Sequence, residues 1–496
     1  MLTTPVPTIN SRWSSRSSND LFDVDNPATG EIIAHVQGSG VAEVGKAVSA
    51  AHAAFLGHWR ERSARERGAM LMAAGKHLEN HAQELAELVS RENGKPVRDA
   101  LQFDVASLTG SFAFFGALAG KSGGEYLDLG FVTSATVREP FGVVAGIIPF
   151  NWPPIHTGAK VAPALAAGNT IVVKPGDQAP LTIMRIVDLL NEVLPEDVLH
   201  CVTGIGPAVG QALTQHPLVR KISFTGAPST GTAVLKTAAE RHVPVLCELG
   251  GKNPFIIMAD ADLDQAVRDA VDGAFFNKGE ACTAASRILV HQDVHDAFVE
   301  RFCAATERLT TGDGALETTH VGPVVSRAQK EKVESYIRIG QSEGATIAAQ
   351  GKLPDDPRLK QGYFVPPTVF TNVTSKMRVA QEEIFGPVTC VMKFKDEADA
   401  IEIANGTQFA LVAGIYSRDQ ELANRMARRV EAGIVFVNNY NRIVIGTPFG
   451  GTKSSGYGRE HAAATLNEFT YSKAIRTPTG RVPVPEWKAV TDIFGR

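Results

Sequence analysis

The feature that most constrains this chain is a change of pattern near residue 141. From there, uninterrupted apolar runs alternate with stretches of helical period. Gly142 to Ile148 reads as a buried strand, Gly158 to Ala167 as a helix, Thr170 to Lys174 as a strand, and Leu181 to Leu194 as a helix. Leu199 to Val202 and Lys221 to Phe224 continue the strands. Strands with no polar alternation are covered on both faces, and alternating them with helices gives a parallel, doubly wound sheet. Ligands bind such sheets beyond the carboxyl ends of the strands, where Lys174 and Thr225-Gly226 stand. No Gly-x-Gly-x-x-Gly opens this sheet; Thr203-Gly204-Ile205-Gly206-Pro207 comes closest, with the wrong spacing. Gly226 and Gly231 precede a helix whose first N–H groups can meet a pyrophosphate. A plain strand-to-helix turn is the alternative.

A second α/β pattern begins near Phe255, with strands at 255–258, 287–291 and 388–394 and helices at 262–277, 293–308, 327–343 and 419–430. Segments 310–325 and 350–366 are polar and rich in Gly and Pro, so they read as loops; Ala432 to Asn438 reads as a strand. Ahead of both patterns lies an Ala-rich helical layer, from Val41 to about Trp59, Ala64 to Arg91 and Val97 to about Leu118. Val132 to Arg138 alternates and is β-branched, as a strand should be.

A length of 496 residues allows two or three domains. A net charge of -4 carries no broad basic field for nucleic acid or an anionic membrane. Five scattered cysteines argue against a disulfide framework and for a reducing cytosol. Met1 to Asp23 lacks an apolar signal region, and its Arg/Ser segment runs at once into Asp20, Asp23 and Asp25, as a solvated arm does. No window is expected to reach the apolar length of a membrane span, and no metal-ligand cluster is evident.

Three stretches carry possible chemistry. Cys282 stands among small residues, between Gly279 and Thr283-Ala284-Ala285-Ser286. Only a thiolate attacks, so a nucleophilic Cys282 needs a base or a positive field; the alternative is a free core cysteine. Glu248 follows the apolar run Val243 to Leu246 and precedes Gly250-Gly251. It is a candidate general base with a raised pKa, or else a strand-end Glu salt-bridged to Lys252. Asn151, in Pro149-Phe150-Asn151-Trp152-Pro153, is a candidate oxyanion donor or an ordinary turn Asn.

Taken together the motifs resemble the aldehyde dehydrogenase superfamily. They are Pro-Phe-Asn-Trp-Pro at 149–153, Lys-Pro-Gly-Asp at 174–177, Phe-Thr-Gly with a second glycine at 224–231, and Glu-Leu-Gly-Gly-Lys at 248–252. Gly-Glu-Ala-Cys at 279–282, Glu-Glu-Ile-Phe-Gly-Pro-Val at 382–388 and Pro-Phe-Gly-Gly-Thr-Lys-Ser-Ser-Gly-Tyr-Gly-Arg-Glu at 448–460 complete the set. The resemblance implies an α/β fold of two doubly wound units. A cofactor-binding domain would comprise 1–121 and 141–249, a catalytic domain 250–458, and a small β oligomerisation arm 122–140 and 459–496.

The resemblance also implies roles. Cys282 would attack an aldehyde and pass through a thiohemiacetal and a thioester, with Asn151 holding the oxyanion. Glu248 would activate the hydrolytic water, which points to a free acid product. Lys160 and Glu460 would relay protons. The dinucleotide would meet Ile147, Ile148, Pro149, Phe150, Lys174 and Asp177, then Phe224, Gly226, Ala227, Gly231 and Leu249, and finally Gln329, Glu383 and Phe385. Asp177 at the second strand's end favours NAD, with NADP the alternative; capping the helix near Pro180 is its other reading. The substrate pocket would comprise Trp152, Ile155, Ala159, Phe276, Ala281, Thr283, Ile443 and Phe449, a set suited to an apolar or aromatic aldehyde. Arg442 would instead suit an acidic semialdehyde. A cofactor-independent cysteine hydrolase would leave Lys174, Asp177 and Glu383 idle. Glu280 adds a charge beside the nucleophile. The implied partners are a small aldehyde and a second copy, as homodimer or homotetramer, in the cytoplasm.

Overall fold

The structure is a computed structural model that describes residues 6–440 and 444–495. Its larger half-sheets follow the alternation of the sequence. One six-stranded sheet has the order Gly456–Tyr457, Val245–Glu248, Val219–Thr225, Val143–Ile148, Thr170–Pro175, Leu199–Cys201. All neighbours in it are parallel except Gly456–Tyr457, which returns antiparallel beside Val245–Glu248. Strand parity splits the core, because successive side chains point to opposite faces. Val143 and Ala145 pack with Val44, Val48 and Ala51 of the first helix, Val41–Ala54. Val144 and Ile148 pack with Leu108, Phe112 and Val161 on the other side. Both faces are covered, which is why these strands carry no polar alternation.

The second sheet has seven strands, in the order Thr346–Gln350, Thr368–Thr371, Val388–Phe394, Arg287–His291, Pro254–Ile257, Val412–Tyr416, Ile434–Val437. It is parallel except for its first pair. Its two faces again divide by parity, with Ile256, Leu289 and Met392 on one side and Phe255, Ile288 and Val391 on the other. Thr346–Gln350, Thr368–Thr371 and Val412–Tyr416 are strands that the sequence did not announce. The first two are short and flanked by polar loops, and tertiary pairing gives them their partners.

Three local differences bear on the site. The helix expected from Gly158 begins earlier, spanning Pro153–Ala166 with proline in its first turn, where a missing N–H costs nothing. The pattern from Ala64 to Arg91 is two helices, Ala64–Glu79 and Ala82–Asn93. The helix Leu181–Asn191 has no cap from its own N-terminal residue. Its first N–H groups, on Leu181 and Thr182, donate instead to Glu92 Oε2 at 2.7 Å and Oε1 at 2.8 Å. Asp177 is therefore not the cap.

Val97–Leu118 does reach the length and hydropathy of a membrane span, contrary to expectation, with 22 residues at mean hydropathy 1.2. Its Leu108, Phe112 and Phe115 are buried in the core beneath the first sheet. A three-stranded antiparallel sheet orders Thr470–Pro478, Val132–Pro140 and Tyr126–Asp128. The expected strand at 132–138 is thus paired with the segment following Phe469.

Candidate active site

A cavity of about 580 Å³ lies at the carboxyl ends of the first sheet, where a parallel sheet places its ligands. Cys282, Glu248 and Asn151 all line it. Three segments remote in sequence are therefore brought to one space.

Cys282 follows a turn that ordinary residues resist. Asn277 and Lys278 have φ of 51° and 52°, and Gly279 follows at 68°. Each left-handed non-glycine residue costs about 1–3 kcal/mol and persists only where its surroundings hold it. Here Asn277 Nδ2 donates to the carbonyls of Asn151 at 3.0 Å and Glu280 at 2.9 Å. Lys278 Nζ donates to Asn93 Oδ1 and lies 3.3 Å from Glu280 Oε2. Glu280 Oε1 accepts from the Val325 N–H at 3.0 Å. The Glu280 carboxyl is thus turned into structure. Asn253 Nδ2 holds the Cys282 carbonyl at 2.7 Å. Gly251 must be glycine there, since a Cβ would lie 2.3 Å from that same carbonyl oxygen.

Glu248 ends the strand Val245–Glu248 and is 2% exposed. Neither of its oxygens meets a hydrogen-bond donor at full bonding geometry, so the pairing with Lys252 is not formed. The nearby Cys282 thiol lowers its pKa, but burial first and the Glu460 charge second push it up to about 8. Burial and the Glu248 charge in turn hold the Cys282 thiol well above its usual range. Both groups are therefore biased towards their protonated forms.

Asn151 Nδ2 donates to the Glu280 carbonyl at 3.1 Å, across the cavity floor, so it is no simple turn residue. That bond uses one of its two amide hydrogens. Lys160 and Glu460 do not line the cavity; they form a buried pair at 2.8 Å behind it. Lys160 also donates to Thr225 Oγ1 at 2.7 Å and Ser223 Oγ at 3.2 Å. Neither is a surface charge. Glu460 is fixed by backbone bonds in both directions with Phe449.

Of the expected cofactor residues, Ile147, Ile148, Pro149, Phe150, Lys174 and Asp177 line one side of the cavity. Phe224, Gly226, Ala227, Leu249, Gln329, Glu383 and Phe385 line the rest. Gly231 stands behind the wall, where a Cβ would meet Leu249 Cδ2 at 2.6 Å. Lys174 Nζ is 3.5 Å from Asp177 Oδ1, and Asp177 Oδ2 accepts from the Gly206 N–H at 3.2 Å. Glu383 Oε1 accepts from the Gly251 N–H at 2.8 Å. Phe385 is held at φ 61° by Gln329, whose Nε2 donates to its carbonyl at 2.6 Å.

The expected substrate residues are less unified. Trp152 and Phe276 pack with ring centroids 5.5 Å apart, and Lys95 Nζ lies 3.6 Å from the Trp152 centroid. Phe449 packs edge-on against His461, and the Thr283 carbonyl accepts from the Tyr440 hydroxyl. Ala159 and Ala281 are buried, Ile155 is half-buried, and none of these seven lines the cavity. Arg442 and Ile443 lie outside the described residues. His156 does line the cavity and was missed, because a lone histidine inside a helix gives no sequence signal.

Comparison with known proteins agrees with this arrangement. Residues 13–475 match the aldehyde dehydrogenase family. This chain belongs to that family. An aldehyde dehydrogenase of Didymella fabae is 52% identical over 97% of this chain and 97% of its own length. A betaine aldehyde dehydrogenase of Bacillus subtilis is 38% identical over 94% and 96%. The crystal structure of betaine aldehyde dehydrogenase from Staphylococcus aureus in complex with NAD+ superposes at TM-score 0.92. It is 37% identical over 97% of this chain and 95% of that one. As an aldehyde dehydrogenase, the protein is an oxidoreductase.

The buried Lys278–Glu280 pair supports the strained turn of this aldehyde dehydrogenase, and both groups have no side-chain exposure. Removing one partner leaves the other charge uncompensated. Lys278→Met should destabilise the enzyme by about 3–5 kcal/mol, read as a lowered melting temperature. Lys278→Met with Glu280→Gln should recover part of the loss.

Proposed function

We propose that this enzyme oxidises an aldehyde to the free carboxylic acid with NAD+. The observation that carries this reading is the meeting of Cys282, Glu248 and Asn151 in one cavity that continues to Lys174 and Asp177. The cavity suits a dinucleotide. It joins Cys282 to the start of the helix Pro228–Glu240, whose free N–H groups suit a pyrophosphate, and to Lys174 and Asp177 at the second strand's end. Lys174 and Asp177 would hold the adenosine ribose, and Glu383 and Phe385 the nicotinamide end. A bound NAD+ supplies two-electron oxidation by accepting a hydride.

The residues do the rest. Glu248 takes the thiol proton as Cys282 Sγ bonds to the aldehyde carbon, because free thiolate is scarce at a raised pKa. The second amide hydrogen of Asn151 faces the developing oxyanion, and one such donor contributes about 3 kcal/mol. The oxidised adduct is a Cys282 thioester. Glu248 sheds the thiol proton through the buried Lys160–Glu460 pair behind it. It then removes a proton from the water whose oxygen bonds the thioester carbon; the carbon–sulfur bond breaks, the acid leaves and the Cys282 sulfur is free again. A cofactor-free hydrolase gives Lys174, Asp177 and Glu383 nothing to hold. We assign the substrate to the apolar, aromatic class on the packed Trp152–Phe276 rings, which lie outside the cavity lining, with Trp152 next in sequence to Asn151; the semialdehyde alternative rests on Arg442.

We further propose a cytoplasmic homodimer or homotetramer, with segments 122–140 and 459–496 as its arm, 1–121 and 141–249 binding cofactor, and 250–458 carrying catalysis. Thr470–Pro478 is an edge strand paired on one side within the chain, and it exposes Tyr471 and Ile475. Such edges recruit partners.

Four measurements test this. Glu248→Gln should slow NADH release in the first turnover and slow later turnovers far more, leaving a burst near one per active site; equal loss of both phases would remove Glu248 from hydrolysis. The ionised carboxylate is the base, so its share grows as pH rises towards about 8. Deacylation-limited turnover should climb roughly tenfold per pH unit below that value and then level. Asp177→Ser should raise kcat/KM for NADP and lower it for NAD, a swing of roughly 1–3 kcal/mol; an unchanged ratio would detach cofactor choice from Asp177. Light scattering at micromolar concentration should show at least two subunits, and a monomer would refute the arm.

A further inference from the structure

One polar side chain in the catalytic cavity has no work in the mechanism above. His156 is 4% exposed, lines the cavity with Cys282, Glu248 and Asn151, and has no hydrogen-bond partner at Nδ1 or Nε2. Its backbone is held in the helix, where its N–H donates to the Trp152 carbonyl at 3.1 Å. Buried polar groups are almost always paired, and one left unpaired at a pocket wall is matched by what enters the pocket.

We infer that His156 binds a hydroxyl group of the substrate, so that the enzyme is built for a hydroxylated aldehyde rather than a plain hydrocarbon one. This deepens the reading of the site given above and rests on it. A neutral imidazole carries one N–H donor and one bare nitrogen acceptor. A hydroxyl is both acceptor and donor, so it pairs with either ring nitrogen. His156 stays neutral: burial first, then the positive charges of Lys160, His461 and Lys95, hold its pKa well below the usual value. A carboxylate substituent would want a cation and gains less here. The helix Pro153–Ala166 fixes the geometry, since Asn151 stands just before its first turn and His156 and Lys160 lie four apart on one face. An oxygen held by His156 therefore sits in the same chamber as the carbonyl oxygen held by Asn151. The other use for His156, as an extension of the Lys160–Glu460 proton route, makes no demand on the substrate.

The test compares benzaldehyde with 2-, 3- and 4-hydroxybenzaldehyde. The wild-type enzyme should prefer at least one hydroxylated isomer in kcat/KM by tenfold or more, because a site built to bond a hydroxyl discriminates against the analogue lacking it. His156→Leu should abolish that preference, lowering kcat/KM for the preferred isomer about 10- to 100-fold while benzaldehyde changes less than about threefold. His156→Gln, which keeps a donor and an acceptor, should restore part of it. A wild-type enzyme without a preference overturns the inference before any variant is made. A variant that slows all four aldehydes equally, or that only shifts the pH profile, overturns it in favour of the proton route. In either case benzaldehyde turnover that depends on Cys282 leaves the dehydrogenase reading standing.

Discussion

The turn that carries Cys282 depends on charge buried away from the surface. Lys95 and Asp104 meet at 2.7 Å, Lys278 and Glu280 at 3.3 Å, and none of the four side chains is exposed. Burial pulls both lysines down and both carboxyls up, and the close pairing opposes it. Such pairs add little net stability compared with apolar packing, but half of one is expensive to leave behind. They act as a registration device. Lys95 touches Trp152 and, at 3.5 Å, the Asn151 carbonyl, while Glu280 accepts from the Asn151 amide. The Asn151 loop and the turn before Cys282 are locked to each other by this cluster and to the helical layer through Asn93 and Asp104.

The site then uses burial a second time. Glu248 and Cys282 share one poorly solvated space, where burial raises the pKa of both and the Glu248 charge raises that of Cys282 further. Both groups resist ionisation there, and a carboxyl raised in this way can hold or release a proton near neutral pH. Close approach makes this possible. A Cβ on Gly250 would lie 2.3 Å from Glu383 Oε2, as one on Gly251 would from the Cys282 carbonyl, so the two glycines let three segments converge.

Much of this was legible along the chain. The uninterrupted strands Val143–Ile148 and Thr170–Pro175 declared a sheet covered on both faces, and the structure shows such a sheet. Cys282, Glu248 and Asn151 were visible as residues with chemistry, and their motifs pointed to one family. Glu248 was readable as a carboxyl between an apolar run and two glycines, and its environment raises its pKa as that pattern implies. The strands Thr346–Gln350 and Thr368–Thr371 were not legible, because their partners rather than their own residues make them strands.

The sequence by itself determined the layer architecture and named the candidate reacting groups, since periodicity and residue chemistry are local properties. Only the tertiary structure decided their environment. The 185 residues between Asn93 and Lys278, and the 129 between Asn151 and Glu280, are closed by folding, and no local pattern announces them. The same holds for Glu92 capping a helix that begins 89 residues later. His156 is the sharpest case: in the sequence it is one histidine in a helix, and in the fold it is an unpaired imidazole facing the nucleophile's cavity. Burial and partner geometry are sums over distant segments, and they set pKa, strain and specificity.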